Sequence, residues 1–63
     1  PNFETNTRKI IARLQQEGWV LRGGAKHAVY VNPDRPGIFI VIPRHTEQSI
    51  GLARQIYKQA GWL

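Results

Sequence analysis

The run Ile38–Ile42, with the sequence IFIVI, limits most strongly how this chain can fold, because it is apolar at every position. Gly37 precedes it and Pro43 closes it, so the pattern predicts a short strand whose two apolar faces both require cover. The run is far below the roughly 20 residues that span a bilayer, and no signal-peptide pattern precedes it. We therefore expect a soluble, cytoplasmic protein.

The chain has 63 residues and no cysteine, so its stability must come from apolar packing rather than from disulfides or a thiolate metal site. A chain of this length forms one domain, residues 1–63, and buries only about 60% of the surface that its unfolded form exposes. Two histidines and four scattered acids show no metal-ligand spacing. We expect a domain of thin stability margin, with no metal and no other cofactor.

The segment Asn6–Glu17 predicts a first helix with both ends marked. Its apolar residues share one helical stripe: Ile10, Ile11 and Leu14. Thr5 or Asn6 can cap the first turn, and Gly18 is placed to end the last turn in the left-handed region. Glu17 lies close to the negative end of the helix dipole, which slightly lowers the stability of the helix.

A second helix is predicted after Ser49, which can serve as its N-cap. Its apolar residues again follow helical spacing: Ile50, Ala53, Ile56, Tyr57 and Ala60. Gly61 ends this helix, and Trp62 and Leu63 are expected to pack back on the core.

Between the helices the pattern predicts two further strands, Trp19–Leu21 and His27–Val31. Gly23 and Gly24 turn the chain between them, and Asn32–Gly37 forms a tight connection to the third strand. The predicted fold is α+β in the order α-β-β-β-α, a three-stranded antiparallel sheet with both helices on one face. The other face of the third strand would then remain apolar and open, which indicates a protein interface.

Nine Lys and Arg residues against four acids give a formal net charge of +5 and a pI near 10.5. The cations are spread along the chain: Arg8, Lys9, Arg13, Arg22, Lys26, Arg35, Arg44, Arg54 and Lys58. This spread favours a folded basic face rather than a disordered tail, and a polyanion is the natural partner. Charge alone suits DNA, RNA or an anionic membrane about equally. The residues of the turn between the first two strands favour RNA.

That turn carries a glycine pair between Arg22 and Lys26, followed by His27. Imidazole can take a proton from a ribose 2′-hydroxyl or give one to the leaving 5′-oxygen, while nearby cations neutralise the charge that develops on the phosphate. Such cleavage needs no metal. The alternative is an ordinary edge-strand histidine, which is the commoner case for a lone histidine among cations.

Two other features allow a functional and a structural interpretation. The segment 23–26 can form a phosphate-binding nest topped by Lys26, or a flexible hairpin loop, and it lacks the context and spacing of a P-loop. His45, after Arg44, is a second proton-transfer group, a phosphate contact or a solvated loop histidine.

Aromatic side chains interleaved with cations can stack on bases: Trp19, Tyr30, Phe39, Tyr57 and Trp62. In so small a domain most of them must belong to the core. Tyr30 is the one we expect on the surface, because its strand parity differs from that of His27, Val29 and Val31.

With these residues laid out, the chain resembles the HicA toxin family, small ribosome-independent mRNA interferases that a HicB antitoxin neutralises. The resemblance covers nearly the whole chain and also involves the glycine-rich turn before His27. It lies in short segments in a fixed order: Glu17-Gly18-Trp19, His27-Ala28-Val29-Tyr30, Val41-Ile42-Pro43-Arg44-His45 and Gln59-Ala60-Gly61-Trp62.

The resemblance implies a fold similar to double-stranded-RNA-binding domains, an RNA substrate and a HicB-type partner that covers the active face. It places the family's catalytic histidine on His27 and the turn that presents it on Gly24. Ala25 and Lys26 stand where the family commonly has Gly-Ser, so Lys26 would replace a serine contact to phosphate electrostatically. Arg22, Lys26, Gly24 and Arg44 are the candidate RNA-phosphate contacts.

Two alternatives to an endoribonuclease remain open from the sequence. One is a non-catalytic module of similar fold that binds double-stranded RNA through its basic surface. The other is a protein-interaction domain whose charge matches an acidic partner.

Overall fold

The computed structural model of the chain describes residues 2–23 and 26–63. Their elements follow one another as α1 (Thr7–Gln16), β1 (Val20–Leu21), β2 (His27–Val31), β3 (Ile40–Pro43) and α2 (Ile50–Ala60). This order confirms the predicted α-β-β-β-α arrangement and its α+β class.

Both helices begin and end where the capping residues predict. The side chains of Asn6 and Ser49 each accept a hydrogen bond from the amide three positions on, at 3.1 and 3.2 Å. Gly18 and Gly61 follow the two helices with φ of 94° and 81°, in the left-handed region that glycine adopts without strain. Within the described residues neither helix is long and apolar enough to cross a membrane.

The described strands form one antiparallel sheet in the order β1-β2-β3. In its register Val20 lies opposite Val31, and His27 lies opposite Pro43. The third strand begins two residues later than predicted, since Gly37 turns the chain with φ of 86° and the Ile38 amide still bonds back to the preceding turn. Ile38 and Phe39 therefore precede β3 rather than open it.

One cluster of buried side chains joins both helices to the same face of the sheet. Its members are Ile10, Leu14, Trp19, Ala28, Tyr30, Ile40, Ile42, Ile56 and Ala60. Helices on one face of a sheet are thus confirmed, and the apolar stripes predicted for α1 and α2 supply the contact.

The prediction that Tyr30 lies on the surface is wrong, because Tyr30 is 4% exposed and belongs to this core. The alternation along β2 is as expected: Ala28 and Tyr30 share one face, and His27, Val29 and Val31 share the other. Both sets are apolar, so the pattern alone does not say which one faces the helices. The aromatic side chain at the surface is instead Phe39, which is 56% exposed.

The sheet face away from the helices is apolar and open, as predicted. We call it the open face; it carries Val20, Val29, Val31, Phe39 and Val41. Val20, Phe39 and Val41 are exposed, and Val29 and Val31 are half-buried. An exposed patch of this kind in a small domain is typical of a binding surface.

At the C-terminus, Trp62 packs on the core as predicted, whereas Leu63 is exposed. The Trp62 indole Nε1 donates a hydrogen bond of 2.7 Å to the Glu17 carboxylate, and the Arg13 guanidinium lies 4.0 Å from the Trp62 ring centroid. Glu17 therefore anchors the C-terminus to the end of α1. Its position near the negative end of the helix dipole gives no indication of this role in the sequence. Ile50, one of the apolar residues at helical spacing, is exposed at the first position of α2.

Candidate functional site

His27 is exposed at the first position of β2. Strand alternation puts it on the open face with Val29 and Val31, because the intervening Ala28 and Tyr30 face the core. A side chain at this position is accessible to a ligand as large as RNA.

Arg22 shares the open face with His27. Its backbone amide donates a 2.7 Å hydrogen bond to the Val29 carbonyl, which extends the β1–β2 pairing by one residue. Arg22 therefore lies opposite Val29 and diagonal to His27, and diagonal neighbours on one sheet face are about 7–8 Å apart. A long guanidinium side chain spans that distance.

Lys26 is exposed in a bend immediately before β2. Lys26 adjoins His27 in the chain but lies outside the strand itself. Gly23 adopts φ of 65°, which fits the positive φ expected of this turn. Gly24, the predicted presenter of His27, lies outside the described residues, as does Ala25.

Arg44 and His45 are both exposed and follow Pro43, the residue opposite His27 in the register. The sheet therefore brings the start of β2 and the end of β3 to the same edge of the molecule. Arg44 lies between two adjoining depressions at that edge, one of about 510 Å³ and one of about 180 Å³.

Gln48 fixes the segment that carries Arg44 and His45, and sequence reasoning missed it. The side chain is 6% exposed, and its amide nitrogen donates to the Thr7 hydroxyl at 2.7 Å and to the Pro43 carbonyl at 2.9 Å. The Gln48 backbone amide also donates to the Thr5 carbonyl at 2.8 Å. A glutamine within a polar connection gives no sequence signal that it will be buried and fully bonded.

A second set of hydrogen bonds ties the same connection to the start of α1. The Glu47 carboxylate accepts from the Thr5 hydroxyl at 2.8 Å and from the Asn6 side-chain amide at 3.1 Å. The Thr7 backbone amide donates to the Thr46 carbonyl at 3.0 Å, and the Thr7 hydroxyl donates to the His45 carbonyl. The β3–α2 connection and the α1 N-terminus thus form one rigid unit.

No group of three or more histidine, cysteine, aspartate or glutamate side chains that could hold a metal ion occurs in residues 2–23 and 26–63. The geometry instead offers two histidines with cationic neighbours at one edge of a sheet.

In a comparison with protein families, the model described as HicA toxin of bacterial toxin-antitoxin matches residues 7–62. The chain belongs to the HicA toxin family. The matched range runs from the first residue of α1 to Trp62, so the HicA pattern covers every helix and strand described above. A search of curated proteins finds no significant match.

Membership of the HicA family assigns a toxin role and implies a toxin-antitoxin partnership. It also agrees with the resemblance found in the sequence, which rests on segments at the helix ends and around His27.

Proposed function

We propose that this HicA-family chain, residues 1–63 acting as one domain, is an endoribonuclease that cleaves mRNA in the cytoplasm with His27 as its catalytic residue. The observation that carries the proposal is the exposed imidazole at the start of β2, on the same sheet face as Arg22. The net charge of +5 supports a polyanionic substrate.

In the proposed reaction His27 takes the proton from a ribose 2′-hydroxyl, and the 2′-oxygen attacks the adjacent phosphorus. The bond from phosphorus to the 5′-oxygen breaks, and that oxygen takes a proton from the solvent that reaches this exposed site. The products are a 2′,3′-cyclic phosphate and a 5′-hydroxyl end. His27 then releases its proton to solvent, so the reaction balances without a metal ion or a co-reactant.

Arg22 is best situated to stabilise the charge on the phosphorus-bound oxygens, because it lies diagonal to His27 on the same face. Lys26 is exposed next to His27 in the chain, and we assign it a contact to a neighbouring phosphate. Arg44, one residue beyond the position opposite His27, is assigned a similar role. Gly24 is proposed to shape the turn that presents the imidazole.

We further propose that a HicB-type antitoxin covers the open face. Val20 lies opposite Val31 at the end of β2, and the exposed Val41 lies opposite Val29, two residues from His27. A protein that covered the whole open face would therefore also block His27. Burial of these apolar side chains supplies the free energy of binding, and occlusion of His27 supplies the inhibition.

The test is RNA cleavage in EDTA by the wild-type chain and by His27→Ala, with the ends of the products identified. We expect the substitution to lower the cleavage rate by about 10² to 10⁴-fold, the range for loss of a general base, without unfolding an exposed site. Circular dichroism of both proteins checks the fold. Cleavage retained by His27→Ala would remove His27 from the chemistry.

The cleavage assay, together with a measurement of RNA affinity, distinguishes the two alternatives. A non-catalytic RNA-binding module would bind RNA with strong salt dependence but leave it intact, and His27→Ala would be silent. A protein-interaction domain would show no RNA affinity even at low salt.

A further inference from the structure

The larger depression beside the end of β3 is a groove between the N-terminus of α1 and the β3–α2 connection. Its volume is about 510 Å³, and Arg8, Ile11, Arg44, His45 and Thr46 are among the residues that line it. We call it the α1 groove. A cavity of this size falls in the range that holds small ligands.

The α1 groove extends, on the helix side of the sheet, to the edge where β2 begins. Its neighbour of about 180 Å³ shares Thr7, Ile11 and Arg44 with it and extends to Ala28 and Pro43. Ala28 follows His27 in the chain, and Pro43 lies opposite His27 in the sheet. Ala28 faces the helices and His27 faces the open face, so a chain molecule seated in the α1 groove would reach the proposed catalytic position by passing over the sheet edge at the start of β2.

The lining combines an apolar surface with a cationic rim. Ile11 is half-buried, whereas Arg8, Arg44 and His45 are exposed. Within the described part of the chain, the side chains of Arg8, His45 and Thr46 make no hydrogen bond or ion pair. These groups are free to contact a ligand.

Acidic side chains near the start of α1 are engaged in hydrogen bonds within the chain. The Glu47 carboxylate is bonded to Thr5 and Asn6, and the Glu4 carboxylate accepts from the Asn6 backbone amide at 3.0 Å. Neither Glu4 nor Glu47 is among the described residues that line the groove. The local lining charge is therefore positive.

We propose that the α1 groove binds the nucleotide next to the scissile phosphodiester of a single-stranded RNA. The base lies against Ile11, and its phosphate is held by Arg8 together with Arg44. His45 and Thr46 donate further hydrogen bonds to phosphate or base edge. This inference rests on the proposed function, because it takes RNA as the substrate.

The hydrogen bonds that fix the groove walls favour such a role. Gln48 holds the β3–α2 connection to Thr7 and Pro43, so the backbone that carries Arg44 and His45 is already positioned before RNA binds. Preorganisation of this kind reduces the conformational entropy lost on binding. The first amides of α1 do not supply the charge, since Thr7 and Lys9 use theirs within the chain.

The test uses the full chain with His27→Ala, so that RNA is bound without being cut, and measures affinity for a fluorescent single-stranded oligonucleotide at several salt concentrations. We expect Arg8→Gln to weaken binding about 5- to 10-fold and to reduce the salt slope by about 0.7, the value for one lost phosphate contact. The matched control is Lys9→Gln, one position along α1 and outside the described lining. It should change affinity less than twofold.

A second variant tests the site without removing a cation. Thr46→Glu places a carboxylate in the groove and should weaken binding more than 10-fold, whereas Gln55→Glu, exposed on α2, should change it less than twofold. Thermal unfolding of each variant shows that the fold is retained.

Equal effects of Arg8→Gln and Lys9→Gln, or of Thr46→Glu and Gln55→Glu, overturn the groove assignment even if the wild type cleaves RNA through His27. Absence of cleavage by the wild type overturns the proposed function, and the binding experiment still decides whether the groove holds RNA. Absence of RNA binding by the parent chain overturns the groove assignment as well.

Discussion

At the scale of single residues, the most informative side chain is Gln48. Three hydrogen bonds join it to Thr5, Thr7 and Pro43, and it lies almost fully inside the protein. It thereby links the proposed catalytic edge of the sheet to the N-terminus of α1. A buried amide with good partners fixes one arrangement of its surroundings, since any other leaves polar groups unpaired.

Replacement of Gln48 by leucine should lower the free energy of unfolding by about 1–3 kcal/mol, because the Pro43 carbonyl loses its side-chain donor. It should also weaken RNA binding, because Arg44 and His45 lose their fixed positions. Chemical denaturation and oligonucleotide binding measure the two effects. The control, Gln55→Leu on the exposed side of α2, should change unfolding by less than about 0.5 kcal/mol.

Single residues also show which features of the fold and the candidate site could be predicted from the sequence. His27 was found because a glycine turn, cations and an imidazole stand together in the chain. Gln48 was not, since its importance depends on contacts with residues about 40 positions away. Tyr30 was assigned to the wrong face because both faces of β2 are apolar, and only the packing of the helices decides between them.

At the scale of elements, the helices were predictable because local chemistry sets their ends. Asn6, Ser49, Gly18 and Gly61 all act as their residue types predict. The start of β3 was not predictable, since the turn around Gly37 continues into an apolar segment that has the composition of a strand. The Phe39 carbonyl accepts from the Gln59 side chain rather than continuing the ladder.

Substitution by alanine should change stability in opposite directions at Gly51, inside α2, and at Gly61, which ends α2. Gly61→Ala should lower stability by about 1–2 kcal/mol, because φ of 81° disfavours a side chain and an added Cβ would meet the Arg35 guanidinium. Gly51→Ala should raise stability by about 0.5 kcal/mol, because Gly51 lies inside the helix and a new Cβ meets no described atom within 4 Å.

Thermal unfolding checks this pair. A change of 1 kcal/mol shifts the melting temperature of a domain of this size by about 4–8 °C, so both signs are measurable. A lower melting temperature for Gly51→Ala would contradict the helix assignment at that position.

At the scale of the whole molecule, small size limits the stability of the chain. Domains are stable by about 0.05–0.15 kcal/mol per residue, which gives about 3–9 kcal/mol for 63 residues. One face of its sheet remains in contact with solvent, so the fold relies on the single cluster beneath the helices.

Ile56→Ala should therefore remove much of this stability. Ile56 is fully buried, and its truncation costs about 2–5 kcal/mol. Denaturant titration measures the loss, and the exposed Ile50→Ala serves as control with an expected change below about 0.5 kcal/mol. A similar loss in the two variants would contradict the assigned core.

The double variant Phe39→Thr and Val41→Thr should weaken inhibition by a HicB-type antitoxin at least 10-fold, because the open face loses apolar contact area. RNA cleavage by the free toxin should not change. A HicB-type antitoxin is titrated into the cleavage assay, with Ile50→Thr as an apolar-to-polar control elsewhere on the surface. Unaltered inhibition would place the antitoxin on another surface.

The exposure of His27 bears on how fast RNA cleavage would start once a partner no longer covered the open face. An imidazole that already faces solvent awaits no rearrangement of its own chain before RNA can reach it. Under the proposed function, RNA cleavage would then begin as soon as the partner left the open face, and the delay before it would be set by the dissociation rate of that partner.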